Sequence, residues 1–149
     1  MRRTISVATI LASTILGLAA VPWPSTGSFA DGALAIGMPG NDPSNGFRYA
    51  TNSDKSVEDA RADAIAQCRK SKYPNTGKAC KLIEIYHNEC AAVAFNGDAD
   101  TPSTAAGWSI AADSRSAKSE ALEKCEQMRK GKGRECHVDG DATCDGSAK

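Results

Sequence analysis

Cys136-His137 and His87-x-x-Cys90 twice set a thiol near an imidazole. Those residue types can do two kinds of chemistry. An imidazole can activate a thiolate nucleophile, and thiolates with imidazoles ligate zinc. The surrounding spacing favours neither. Structural zinc sites usually draw on close pairs of cysteines, and the chain has no C-x-x-C. A catalytic thiol also needs a further group to orient its base. The two histidines do not recur at equivalent places: Cys80 is followed by Lys81, whereas Cys136 is followed by His137. The third chemistry open to Cys68, Cys80, Cys90, Cys125, Cys136 and Cys144 is oxidation to disulfides. An even number of cysteines in a small exported chain reads that way.

Export is expected from the first thirty residues. Arg2 and Arg3 precede an uncharged apolar run, "ISVATILASTILGLAAV", then Pro22-Trp23-Pro24 and the small-x-small site Ser28-Phe29-Ala30. This is the order of parts in a secretory signal peptide, with cleavage expected after Ala30. A retained anchor is the competing reading. The run lies near the ~17-residue lower limit for a span and contains Ser and Thr. Residues 1–30 are therefore expected to be removed, leaving one secreted domain over 31–149 without a transmembrane span. Loss of Arg2 and Arg3 leaves 16 basic residues against 18 acidic ones, a net charge of −2. Such a balance does not suit a general nucleic-acid binder.

Two loops carry concentrated positive charge. Residues 69–79 hold Arg69, Lys70, Lys72 and Lys78 with no acid. Residues 126–135 hold Arg129, Lys130, Lys132 and Arg134 beside Glu126 and Glu135. The functional reading is anion binding, of phosphate, acidic lipid headgroups or polysaccharide. The structural reading is that cations complement the negative end of a helix dipole. "NGDADTP", 96–102, spaces Asn96, Asp98 and Asp100 like half of a calcium loop, but Thr101 stands where glycine is needed and Gly107 where the closing glutamate is needed. It reads as a loop, and no metal or cofactor is expected. No nucleophile elbow, P-loop, glycine-rich dinucleotide turn or H-E-x-x-H occurs. No catalytic residue is assigned.

The elements that would hold these residues come in two sets. "GALAIG" (32–37) lies over "AAVAFN" (91–96) at an offset of 59, with Pro43-Ser44 over Pro102-Ser103 and Tyr49 over Trp108. Ala60, Ala64, Ile65 and Cys68 lie over Ala117, Ala121, Leu122 and Cys125 at an offset of 57. Cys80 then falls on Cys136, and Cys90 on Cys144. The shared order indicates an internal repeat, 32–90 and 91–144. Alternating alanine and larger apolar residues predict a strand. Ser56 and Asp113 are placed to cap helices, with Asp59 completing a near capping box. Alanines at i, i+4 and a cysteine at i+8 make one apolar helical stripe. Each unit reads β-β-α-β. The expected fold is α+β: an antiparallel sheet packed on two helices, with pseudo-twofold symmetry. A strand returning along its helix would bring Cys68 near Cys80, and Cys125 near Cys136. Cys90 and Cys144 would then link the two repeats. Of the ~15 pairings open to six cysteines, duplication favours the symmetric few.

With "GALAIG", "ARADAIAQC", "ACKLIE", "CAAVAFNG", "AKSEALEKC" and "ATC" in this order, the chain resembles a family of small secreted domains of unknown function common in mycobacteria. The resemblance covers residues 32–144 and is most specific over Cys90 to Gly97. It implies export and display at the cell surface, and carries no catalytic residues. The expected function is an exported, disulfide-stabilised, non-enzymatic binding protein of the bacterial envelope or extracellular space. Its expected partner is a protein or an anionic component of an envelope or host surface. The alternative is an exported enzyme or redox protein using a cysteine with His87 or His137.

Overall fold

The computed structural model describes residues 31–98 and 101–149. The leader expected over 1–30 lies outside the described residues. Strand β1 (Asp31–Gly37) is central in a sheet of order β2-β1-β3, with β2 at Arg48–Lys55 and β3 at Cys80–Tyr86. Strand β4 (Cys90–Phe95) is central in a second sheet. It pairs with β5 (Ala106–Ala111) on one side, and with β6 (His137–Val138) and β7 (Thr143–Cys144) as its other partners. All pairings are antiparallel. Helix α1 (Val57–Arg69) joins β2 to β3, and helix α3 (Ser114–Arg129) joins β5 to β6. Both helices start where the capping residues stand. Ser56 Oγ accepts from the Asp59 amide at 3.2 Å, and the Asp113 carboxylate accepts from the Ser116 amide at 2.9 Å.

The fold is α+β and antiparallel, and its strands form two sheets, one in each half. The reason is the alternation along β1 and β4. Ala33 and Ala35 pack with Ala60, Ala64 and Cys68 of α1. Ala92 and Ala94 pack with Ala117, Ala121 and Cys125 of α3. The intervening Leu34, Ile36, Ala91 and Val93 meet in a third cluster, flanked by Ile83, Phe95, Trp108 and Ile110. Each central strand is thus dry on both faces: small residues admit a helix, and large ones admit the other sheet. The layers run α1, first sheet, second sheet, α3. Facing the large residues to water would forfeit about 1.5–3 kcal/mol for each fully buried Leu, Ile or Val. Leu34, Ile36 and Val93 are at most 2% exposed. Gly107 shows how close the alanine side is: a Cβ there would lie 2.4 Å from Ala121 O and from Cys125 N.

The cysteines pair as Cys68–Cys80, Cys125–Cys136 and Cys90–Cys144. These are the symmetric pairs favoured by the sequence. The third does not link the halves as expected. Cys90 opens β4, where it stands opposite both Ala111 and Cys144. The bond therefore crosses the β4–β7 ladder inside the second half, and the junction between halves is the segment 87–89. The match of Tyr49 with Trp108 also shifts. Tyr49 pairs with Ile36, whereas Trp108 pairs with Val93, the equivalent of Leu34. Thr51 is the register equivalent of Trp108, so the change of offset falls in the loop between the first two strands. Two features of the first half fall where the sequence pattern predicts only turn and loop. Pro74–Lys78 makes one helical turn, α2, and residues 39–45 make two short 3-10 turns.

Candidate functional site

The two halves leave a cleft of about 900 Å³ between them. One wall comes from the first half: residues 44–49, leading into β2, and residues 70–76, running from the end of α1 into α2. The other comes from the second half: Phe95 at the end of β4, Asp98, residues 101–103, and His137 and Asp139 at β6.

Each wall is set locally. The 39–45 segment is turned by Asp42, whose carboxylate accepts from the Ser44 amide (2.9 Å) and hydroxyl (2.7 Å). These bonds to Ser44 hold the Asp42 carboxyl below its ordinary range. Gly46 follows with φ of 116°, a conformation few other residues adopt, and a Cβ there would lie 2.2 Å from Thr76 Oγ1. That contact lays the first loop on α2. Thr76 Oγ1 is buried with no hydrogen-bond partner among the described residues. In the second wall, Asn96 Oδ1 accepts from the amides of Thr104 (2.8 Å) and Ala105 (2.9 Å). Asn96 Nδ2 donates to Thr104 Oγ1 at 2.9 Å. Asn96 is therefore the clasp of its loop, and Asp98 is taken by Arg134 and the Thr101 amide. Asp100, the third oxygen-bearing residue of the calcium-like spacing, lies outside the described residues.

Rings run through the cleft. Phe47 lies 6.3 Å from Tyr49 and 5.7 Å from Phe95, and His137 meets Phe95 edge-on at 5.0 Å. Tyr49 donates its hydroxyl to Asp139 at 2.5 Å, across the halves. Burial first, and then the bond to Asp139, push the Tyr49 phenol above its ordinary range. Tyr73 stands at the rim, 52% exposed, with Lys72 Nζ 5.2 Å above its ring.

A family model matches residues 31–143 and is described as a domain of unknown function, DUF4189. That span takes in every strand from β1 to β6 and both long helices. The chain belongs to the DUF4189 family. No curated protein and no solved structure matches it.

In this DUF4189 chain the two basic loops have different fates. Lys70 and Lys72 line the cleft, together with Arg48. Arg69 ends α1 and is not among the cleft residues. Arg129 is engaged inside its own loop: Nε and Nη2 meet Glu126 at 2.7 and 2.5 Å, and Nη1 donates to Gly133 O. The other Glu126 oxygen accepts from the Cys136 amide at 2.8 Å. The Cys136 amide first, and then Arg129, hold the Glu126 carboxyl below its ordinary range. Lys130 ends α3 in a left-handed conformation, and the Lys132 amide donates to Arg129 O. None of Arg129, Lys130 and Lys132 borders the cleft. Spacing could not tell these loops apart, because the distinction is which one faces the other half.

All six cysteine sulfurs are in disulfides. His87 instead sits with carboxylates: its Nδ1 lies 3.5 Å from Asp31 and 3.8 Å from Asp145. Asp145 is the residue that sequence reading missed. It is fully buried and accepts from the amides of Asp54 (3.0 Å) and Asn88 (3.4 Å), tying the C-terminal segment to both β2 and the junction. Its signal in the sequence, an Asp after a cysteine near the end, is no different from that of a surface acid. Among the described residues, no group of three or more His, Cys, Asp or Glu is placed to hold a metal ion, and no helix is long and apolar enough to cross a membrane.

Proposed function

We propose that this chain is an exported, disulfide-stabilised binding protein of the bacterial envelope or extracellular space, non-enzymatic, with the cleft between its halves as the binding site. The cleft carries this reading. Its volume is within the ~300–1,000 Å³ of ligand sites, and it combines ring faces with a limited set of polar groups. Three disulfides fit an extracellular or periplasmic protein, and the composition of residues 1–30 supports export. With all six cysteines paired, the cysteine–histidine alternative would have to start from a disulfide and not from a free thiol.

The test has two parts. The intact mass of the protein recovered outside the cytoplasm, without reduction, should correspond to a chain beginning at Asp31 and lacking six hydrogens. Retention of that protein on isolated bacterial envelopes and on host cells should then fall when Phe47→Ala and Tyr73→Ala are combined. Retention unchanged in a variant that melts like the parent would remove the cleft from the proposal.

A further inference from the structure

The cleft has an asymmetry that narrows what it would hold. Arg48, Lys70 and Lys72 all stand on the wall of the first half. The two acids of the opposite wall, Asp98 and Asp139, are both engaged by the protein: Asp98 by Arg134 and Thr101, Asp139 by the Tyr49 hydroxyl. Between the walls lies the row Tyr49, Phe47, Phe95 and His137. An occupant must therefore offer flat apolar faces to the rings, hydroxyls to the polar side chains, and sparse negative charge to one edge.

We propose that the cleft binds an anionic oligosaccharide, one bearing carboxylate or sulfate groups. Its sugar rings would lie on the aromatic row, and its acidic groups would face Arg48, Lys70 and Lys72. This rests on the cleft being the binding site of the protein. A single-stranded nucleic acid also stacks on aromatics beside cations. Its charge at every unit, however, calls for a broadly basic surface, and this chain has as many acids as bases. Three cations on one wall match a chain with occasional charges better than one charged at every step.

The experiment titrates the exported full chain with a galacturonic acid hexamer, a neutral galactose hexamer and a thymidine hexanucleotide, by calorimetry at two salt concentrations. The acidic hexamer is expected to bind one to one, more weakly at higher salt. Lys70→Glu with Lys72→Glu should weaken it by about tenfold or more, the loss expected for charge-assisted contacts. Lys130→Glu with Lys132→Glu, off the cleft, should leave it unchanged. Both pairs are exposed, so folding is preserved. Three results would overturn the proposal: equal binding of the neutral hexamer, tighter binding of the hexanucleotide, or no binding of the acidic hexamer. Equal loss from both lysine pairs would overturn it too, as attraction to bulk charge. If envelope retention depends on the cleft while no acidic sugar binds, the ligand class falls and the binding role stands. If retention ignores the cleft, both fall.

Discussion

The two halves use the same order of elements and close their sheets differently. In the first, β3 is seven residues long and pairs with β1 from Gly37↔Cys80 to Gly32↔Tyr86. At its far end the Tyr86 ring covers Gly32, and its hydroxyl donates to Asn52 O at 2.7 Å. In the second half that strand is broken into β6 and β7, two residues each. Thr143, opposite Ala91, is the register equivalent of Tyr86, and the Cys90–Cys144 bond ties β4 to β7 one pair further along. The comparison teaches that a covalent cross-strand link offsets a short ladder. A continuous third strand holds itself by hydrogen bonds and an aromatic cover, whereas a broken one needs a tie at its end.

The largest expected effect breaks that tie. Cys90–Cys144 closes 54 residues, whereas Cys68–Cys80 and Cys125–Cys136 close 12 and 11. Loop-closure entropy puts their contributions at about 4 kcal/mol and about 3 kcal/mol each. Urea unfolding of the three double Cys→Ser variants should rank them so, with the two short-loop variants alike. Hydrogen exchange in the Cys90/Cys144 variant should rise in β4 and β7 before β1 and β3. Uniform loss of protection would mean that the two sheets open as one unit and that the tie is not local.

Asp145→Asn probes the junction. A buried carboxylate accepting from two amides contributes about 1.5–3 kcal/mol per charged hydrogen-bonded site, so a midpoint shift of that order is expected. An unchanged midpoint would mean that the amide side chain serves as well.

Gly107→Ala sharpens the contrast in helix approach. Its register equivalent in the first half is Ala50, which already carries a Cβ. Gly107 lies against the backbone of α3, so the added methyl should cost about 1–3 kcal/mol by overpacking. Ala50→Gly should lack this steric cost, and equal losses at the two sites would end the claim of closer packing in the second half.

The smallest effects separate the caps. Ser56→Ala should cost about 1 kcal/mol, because a hydroxyl cap is lost. Asp113 titrates, and its bonds to the Ser116 amide and hydroxyl hold its carboxyl below the ordinary range. A depressed carboxyl stabilises the fold above its unfolded value and ceases to as pH falls through its folded value. The difference in stability between parent and Asp113→Asn should therefore shrink with falling pH through the acid range. A pH-independent difference would show that the cap acts without its charge.

Much of the site was beyond sequence reading. Lys70 and Lys72 were visible as a charge cluster, but Lys130 and Lys132 were equally so. Phe47, Phe95 and His137 are far apart along the chain, and nothing in their spacing announces one row. Trp108 matched Tyr49 by residue type and not by register, because a change in loop length moves every later pairing along the strand.

Local chemistry in the sequence determined the helices, through Ser56, Asp113 and the alanine-cysteine stripes. It also determined the strands, through small and large apolar residues in alternation, and narrowed the cysteine pairs to a symmetric few, through the similar order of cysteines in the two halves. These are interactions within a few residues, or comparisons between two stretches with a similar order of residue types. Tertiary structure alone decided that there are two sheets, that Cys90 and Cys144 tie one half to itself, that Asp145 is buried, and that one basic loop faces a cleft. The physical reason is that a strand with two apolar faces states that both must be covered and does not state by what. Only packing the bulky faces of β1 and β4 together assigns their partners, and the cleft is the space left at the edge of that contact.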